Sequence, residues 1–236
     1  MLVAAAVCPC PPLLVPEVAA GAGPELDAAR NACLDALAVL AAAQPELLVV
    51  AGPTGPGEAG AYAAGSVGSF AGFGVGTTVR LGEPAADAGA PERPLPPSLA
   101  VAAWLLERVR WQGAPVEGLG VEETLPTEDC IAGGAGLSSR AERVAMLVMG
   151  DGSACRTVKA PGYLDERATG FDAAAARALG GADVAALGAL DASLAYELKA
   201  AGRAPWQSAS PTPVTPRPSP TCGTTADSSP KASAAR

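Results

Sequence analysis

The chain has 236 residues, 49% hydrophobic and 17% charged, with a formal net charge of −8 and no histidine. That is enough apolar material for one large α/β domain or two small ones. The acidic balance, without any Lys/Arg run, argues against nucleic acid and anionic membranes, which need a clustered basic face. The missing histidine excludes His-based acid–base catalysis, a Ser-His-Asp nucleophile and a 2-His-1-carboxylate iron site.

In chain order, residues 2–7 form a short apolar run stopped by a Pro-rich turn, which predicts a strand buried on both faces. The run has no basic residues before it, so a buried strand is favoured over a secretory leader. Residues 24–43 have helical periodicity, with Leu26, Ala29, Cys33, Leu37 and Leu40 on one face and Glu25 and Asp27 in the first turn. Pro45 ends this helix, and residues 47–51 read as the second strand. The longest apolar stretch, 32–51, is broken by Asp35, Gln44, Pro45 and Glu46, so no membrane-spanning helix is expected.

Residues 52–76, rich in Gly and Ala, read as a long, partly mobile connection, and 77–81 as a strand. A linker with Pro91, Pro94, Pro96 and Pro97 leads to a helix over 98–111, with Ser98 as its expected cap. Strands are expected at 116–121 and 144–149, then helices at 171–179, 182–190 and 192–201. Strands alternating with helices predict an α/β fold: a mainly parallel sheet, helices on both faces, in a single domain over 1–207. Residues 208–236 turn to Pro, Ser and Thr, with Val214 the one large aliphatic residue. This composition predicts a disordered tail, native or produced by truncation or a frameshift.

Six cysteines (Cys8, Cys10, Cys33, Cys130, Cys155 and Cys222) have no framework spacing and read as reduced, buried thiols of a cytoplasmic protein. Gly72-Phe-Gly74-Val-Gly76 lacks dinucleotide-fingerprint spacing, and no phosphate-loop lysine motif exists. Gly65-Ser66 and Gly68-Ser69 make no nucleophile elbow. The acidic pairs Glu122-Glu123 and Glu128-Asp129 could hold a divalent cation, but solvated loop charge is the favoured reading.

In open parallel sheets ligands bind outside the carboxyl ends of the strands. Segments 8–12, 52–57 and 150–156 lie there, and they offer Cys10, Thr54, Asp151, Ser153 and Arg156 to a crevice. Ordinary strand-to-helix turns use the same residue types for backbone reasons. Asp151, between Gly150 and Gly152, is expected to accept hydrogen bonds from the following backbone N–H groups, with Arg156 as its nearest cation.

Three stretches, Cys10-Pro-Pro-Leu-Leu-Val-Pro-Glu-Val18, the Leu-Val-Val-Ala-Gly-Pro run ending at Pro53, and Val144 through Gly150-Asp-Gly-Ser153, resemble the subunit-B-like domain of class III extradiol dioxygenases. In particular they look like the small members found in actinobacteria, and Tyr163, Phe171-Asp172 and Ala204-Pro-Trp-Gln207 continue the likeness. The resemblance implies the fold, a strand-end crevice and, in active members, non-haem Fe(II) held by two histidines and a carboxylate, with a further histidine as acid–base group. At those positions this chain has Cys10 for the first histidine, Thr54 approximately for the second and Ala154 for the acid–base residue.

No catalytic or metal-ligating set is therefore assigned, and no cofactor is expected unless the family's Fe(II) activity persists. Three functions stay open. The first is a catalytically degenerate homologue that keeps the crevice for a small molecule or a protein partner. The second is an active ring-opening dioxygenase with atypical ligands such as Cys10 and Asp151. The third is a structural protein that forms a homo-oligomer through its sheet or an outer helix.

Overall fold

The computed structural model describes residues 1–84 and 93–209. The chain runs β1 (Leu2–Cys8), α1 (Pro16–Ala19), α2 (Asp27–Ala42), β2 (Leu47–Thr54), β3 (Gly60–Tyr62), β4 (Val67–Ser69), β5 (Thr78–Arg80) and α3 (Pro97–Arg108). It continues through β6 (Val116–Glu122), α4 (Thr127–Ser138), β7 (Val144–Met149), α5 (Arg167–Gly180), α6 (Val184–Gly188), α7 (Ala192–Glu197) and α8 (Arg203–Ser208). Short 3-10 turns join several of these elements.

The uncharged apolar runs become the inner strands because a strand covered on both faces exposes no position for a polar side chain. β2 and β7 are buried at every residue. The main sheet has the order β1-β7-β2-β6-β3, with the first four strands parallel and β3 antiparallel to β6. Strands β4 and β5 form a separate antiparallel pair.

The pleat of β7 sends Ala145, Leu147 and Met149 into one core and Val144, Met146 and Val148 into the other. The first core is closed by Cys33, Leu37 and Leu40 of α2 and by residues 99–106 of α3. The second is closed by Cys130 and Leu137 of α4, Phe171 and Ala175 of α5, and Trp206 of α8. The crossovers through α2 and α3 thus move along the sheet on one face, and α4 returns the chain on the other, as right-handed connections require.

Several expectations need correction. The 52–76 stretch is not one irregular connection: β2 runs on to Thr54, and β3 and β4 both lie within it. These three-residue strands have no pattern of their own and exist because neighbouring strands pair with them. The first long helix begins at Asp27, after a 3-10 segment over Ala20–Leu26. Ser98 is not a cap, since α3 begins one residue earlier and the Ser98 hydroxyl donates to the Pro53 carbonyl at 2.7 Å. This bond draws α3 so close to β2 that a Cβ on Gly52 would fall 2.8 Å from the Ser98 oxygen, which is why glycine stands there.

Helix α4 was not anticipated, and it takes Glu128 and Asp129 out of a loop and into its first turn. The expected 192–201 helix ends at Glu197, with α8 following as a separate element. Ser208, the expected first residue of the tail, is instead the buried last residue of α8, with its hydroxyl on the Ala204 carbonyl at 3.1 Å. Residues 210–236 of the proposed tail, Cys222 among them, and Pro91 lie outside the described residues. The five described cysteines are free and buried. Among the described residues no helix is long and apolar enough to cross a membrane.

Candidate functional site: the strand-end crevice

Because β1, β7, β2 and β6 are parallel, their carboxyl ends open on the same side of the sheet. Gly150 donates to the Cys8 carbonyl at 3.0 Å, which brings the turn after β7 against the Pro-Cys-Pro-Pro segment after β1. There Asp151 accepts the Cys10 backbone N–H on Oδ1 at 2.9 Å and the Cys10 thiol on Oδ2 at 3.5 Å. The Asp151 carbonyl in turn accepts from the Gly202 N–H at 2.8 Å. Asp151 therefore clamps two adjacent strand ends and the start of α8, and the expected bonds to its own following N–H groups are replaced by a partner far away in sequence.

Two expected members leave the crevice. Arg156 is exposed and pairs with Asp172 of α5 at 2.8 Å, not with Asp151. Ser153 donates its N–H to the same Asp172 at 2.8 Å and its hydroxyl to the Leu198 carbonyl at 2.8 Å. Both tie the β7–α5 connection to the helices behind the sheet. Ala154, the residue at the acid–base position of the resemblance, contributes its N–H to the Leu198 carbonyl and no side-chain chemistry.

Two further residues belong to the crevice. Glu123 follows β6, is partly buried, and acts electrostatically on Cys10. Its carboxyl is pushed above the usual carboxylate range by burial, partly offset by the Arg203 guanidinium. Arg203 is 1% exposed and grips the turn after β6 through the Glu123 and Leu125 carbonyls, the latter at 2.7 Å. It also donates to Gln207 Oε1 at 3.0 Å, and Gln207 in turn donates to the Leu187 carbonyl at 3.0 Å. The strand-end rule applied to β6 would have singled out Glu122-Glu123. No local pattern marks Arg203, whose acceptors lie about 80 residues earlier in the chain.

The electrostatics leave Cys10 a poor nucleophile and a poor ligand. Burial first, then the Asp151 carboxylate and Glu123, hold its thiol far above the usual thiol range, so it stays protonated. Burial also raises the Asp151 carboxyl, and the Cys10 N–H and S–H only partly counter this. A carboxyl raised in the folded state adds stability below its unfolded value, and that contribution is lost as pH rises through the folded value.

Asp151→Asn removes this titration and leaves an amide oxygen for the Cys10 N–H. Its stability relative to wild type should therefore rise between about pH 4 and neutrality. Asp151→Ala should lose about 1–2 kcal/mol, since a buried N–H is left without its acceptor. Urea unfolding across this range checks both, and parallel pH profiles for wild type and Asp151→Asn would remove Asp151 as the titrating group.

Thr54 ends β2, is 4% exposed, and its hydroxyl has no hydrogen-bond partner among the described residues. An open hollow of about 380 Å³ reaches the β6 end through Thr124 and is otherwise lined by Ala192, Ser193, Tyr196 and Glu197. The two positions that the resemblance assigns to histidine ligands of a ferrous centre thus hold a protonated thiol and a hydroxyl, and the position of the acid–base histidine holds a methyl group. This donor set does not fit Fe(II), which takes neutral imidazoles and carboxylates in such centres. In comparisons with known proteins, no family model matches the chain, and no curated protein sequence matches it either.

Proposed function

We propose that the protein is a catalytically degenerate relative of the class III extradiol dioxygenase subunit-B-like domains, using its strand-end crevice to hold a small molecule or a protein partner. The observation that carries this reading is the state of Cys10. Where the resemblance calls for a histidine ligand, the thiol donates to Asp151 and is held protonated. Asp151 is thereby committed to joining β1 to β7, and no imidazole exists in the chain to take a proton from a catechol.

The decisive experiment is ring cleavage by protein purified anaerobically and supplied with Fe(II), followed through the yellow ring-opened product and a metal analysis of the same sample. No product and substoichiometric iron are expected. Product formation that disappears in Cys10→Ala would establish instead an active dioxygenase with atypical ligands.

A further inference from the structure

The two edges of the main sheet are treated differently. At one edge, β3 is only three residues long, and Arg93 covers it. The Arg93 guanidinium donates to the carbonyls of Glu58 at 3.2 Å, Ala59 at 3.1 Å and Ala61 at 2.9 Å, and lies 3.9 Å from the Tyr62 ring centre. Short strands and charged side chains on outer carbonyls are the usual means of keeping an edge from pairing with another chain.

Among the described residues the opposite edge has no such protection. β1 is seven residues long, Leu-Val-Ala-Ala-Ala-Val-Cys, with neither charge nor proline, and among the described residues it pairs only with β7. From Ala4 to Cys8 its register with β7 is regular, so alternate N–H and C=O groups point away from the sheet in an unbroken row. Ala4 and Ala6 pack towards α2, whereas Ala5 is exposed and Val7 is 38% exposed on the other face. α2 packs mainly on β1 and is the outermost helix of its layer. Its solvent side carries Ala28, Ala32, Ala38, Val39 and Ala42, interrupted by Asn31 and Asp35.

We infer that this edge is a homodimer interface, in which β1 of a second copy pairs antiparallel across a two-fold axis to give one continuous sheet. An open edge of backbone groups is satisfied only by another strand. The uncharged strand offers nothing to select a partner of opposite charge, whereas a two-fold axis presents it with its own complement. A strip about 24 Å long, spanning the sheet edge and the flank of α2, covers on the order of 500 Å² per copy. That lies at the low end for a specific dimer, so pairing at micromolar concentration is expected.

The test is light scattering of the full chain over a dilution series, with Val7→Lys as an edge-blocking variant and Ala5→Cys as a reporter. Ala5 is the middle residue of β1, so its two copies lie nearest the axis. At tens of micromolar the wild type should scatter at twice the 23.1 kDa chain mass. Val7→Lys should scatter as a single chain, with an unchanged circular dichroism spectrum and melting curve at the dilution where both are monomeric. Oxidised Ala5→Cys should run as a covalent dimer that a reductant splits.

A monomeric wild type at these concentrations would overturn the inference. If its β1 amides were nevertheless protected from exchange, the edge would be covered by this chain's own residues outside 1–84 and 93–209. A Val7→Lys protein that remains dimeric would place the interface elsewhere and overturn the inference equally.

Discussion

Replacing Arg203 with methionine is expected to destabilise the protein by about 3–5 kcal/mol, the largest effect of any polar substitution at the crevice. The side chain is 1% exposed, and its loss leaves the partly buried Glu123 and Leu125 carbonyls and the buried Gln207 amide oxygen without their donor. Methionine fills most of the volume, so the loss reports the hydrogen bonds and not a cavity. Arg203→Lys should recover only part of it, because one ammonium cannot span acceptors that a planar fork reaches together. Urea unfolding gives the magnitude. Amide exchange should show protection lost first over the β6–α4 turn, and a cost below about 1 kcal/mol would mean that this clamp does not hold the turn.

Gly134→Ala should cost about 3 kcal/mol, although alanine normally gains about 1 kcal/mol over glycine inside a helix. The sign reverses because α4 and α8 approach so closely here that a Cβ on Gly134 would overlap the Ser208 carbonyl. Backbone, not a flexible side chain, stands in the way, so the helices must separate. Gly133 and Gly136 in the same helix meet nothing within 4 Å, and alanine at either should stabilise by about 0.5–1 kcal/mol. Thermal melts of the three variants form one experiment, and a stabilised Gly134→Ala would show that α8 does not pack at this distance in solution.

The pattern of which elements were legible has a physical basis. The α2 region and the β2 and β7 strands could be read because their apolar spacing is local and long. Helix α4 escaped notice because Ile131-Ala-Gly-Gly-Ala-Gly136 is a weak helix former. Its acidic first turn, Glu128-Asp129, was the available signal, placed where the helix dipole favours negative charge. β3 and β4 are too short for any period and are specified by their pairing partners, whereas β5 lies within the strand expected at 77–81.

What the amino-acid sequence by itself determined is the α/β alternation, the doubly buried character of the inner strands, the lack of imidazole chemistry and the placing of Cys10, Thr54 and Asp151 at strand ends. These follow from composition and local order. The tertiary structure alone decided which strand ends meet. Because the last parallel strand inserts between the first and second, Asp151 reaches Cys10, 141 residues away, instead of its own turn. The same long-range packing draws Ser153 and Arg156 back to Asp172, and delivers Arg203 from the end of the described chain to the turn beside Glu123. Hydrogen-bond partners are chosen by distance in space, and strand order, which sets that distance here, is written in no short stretch of sequence.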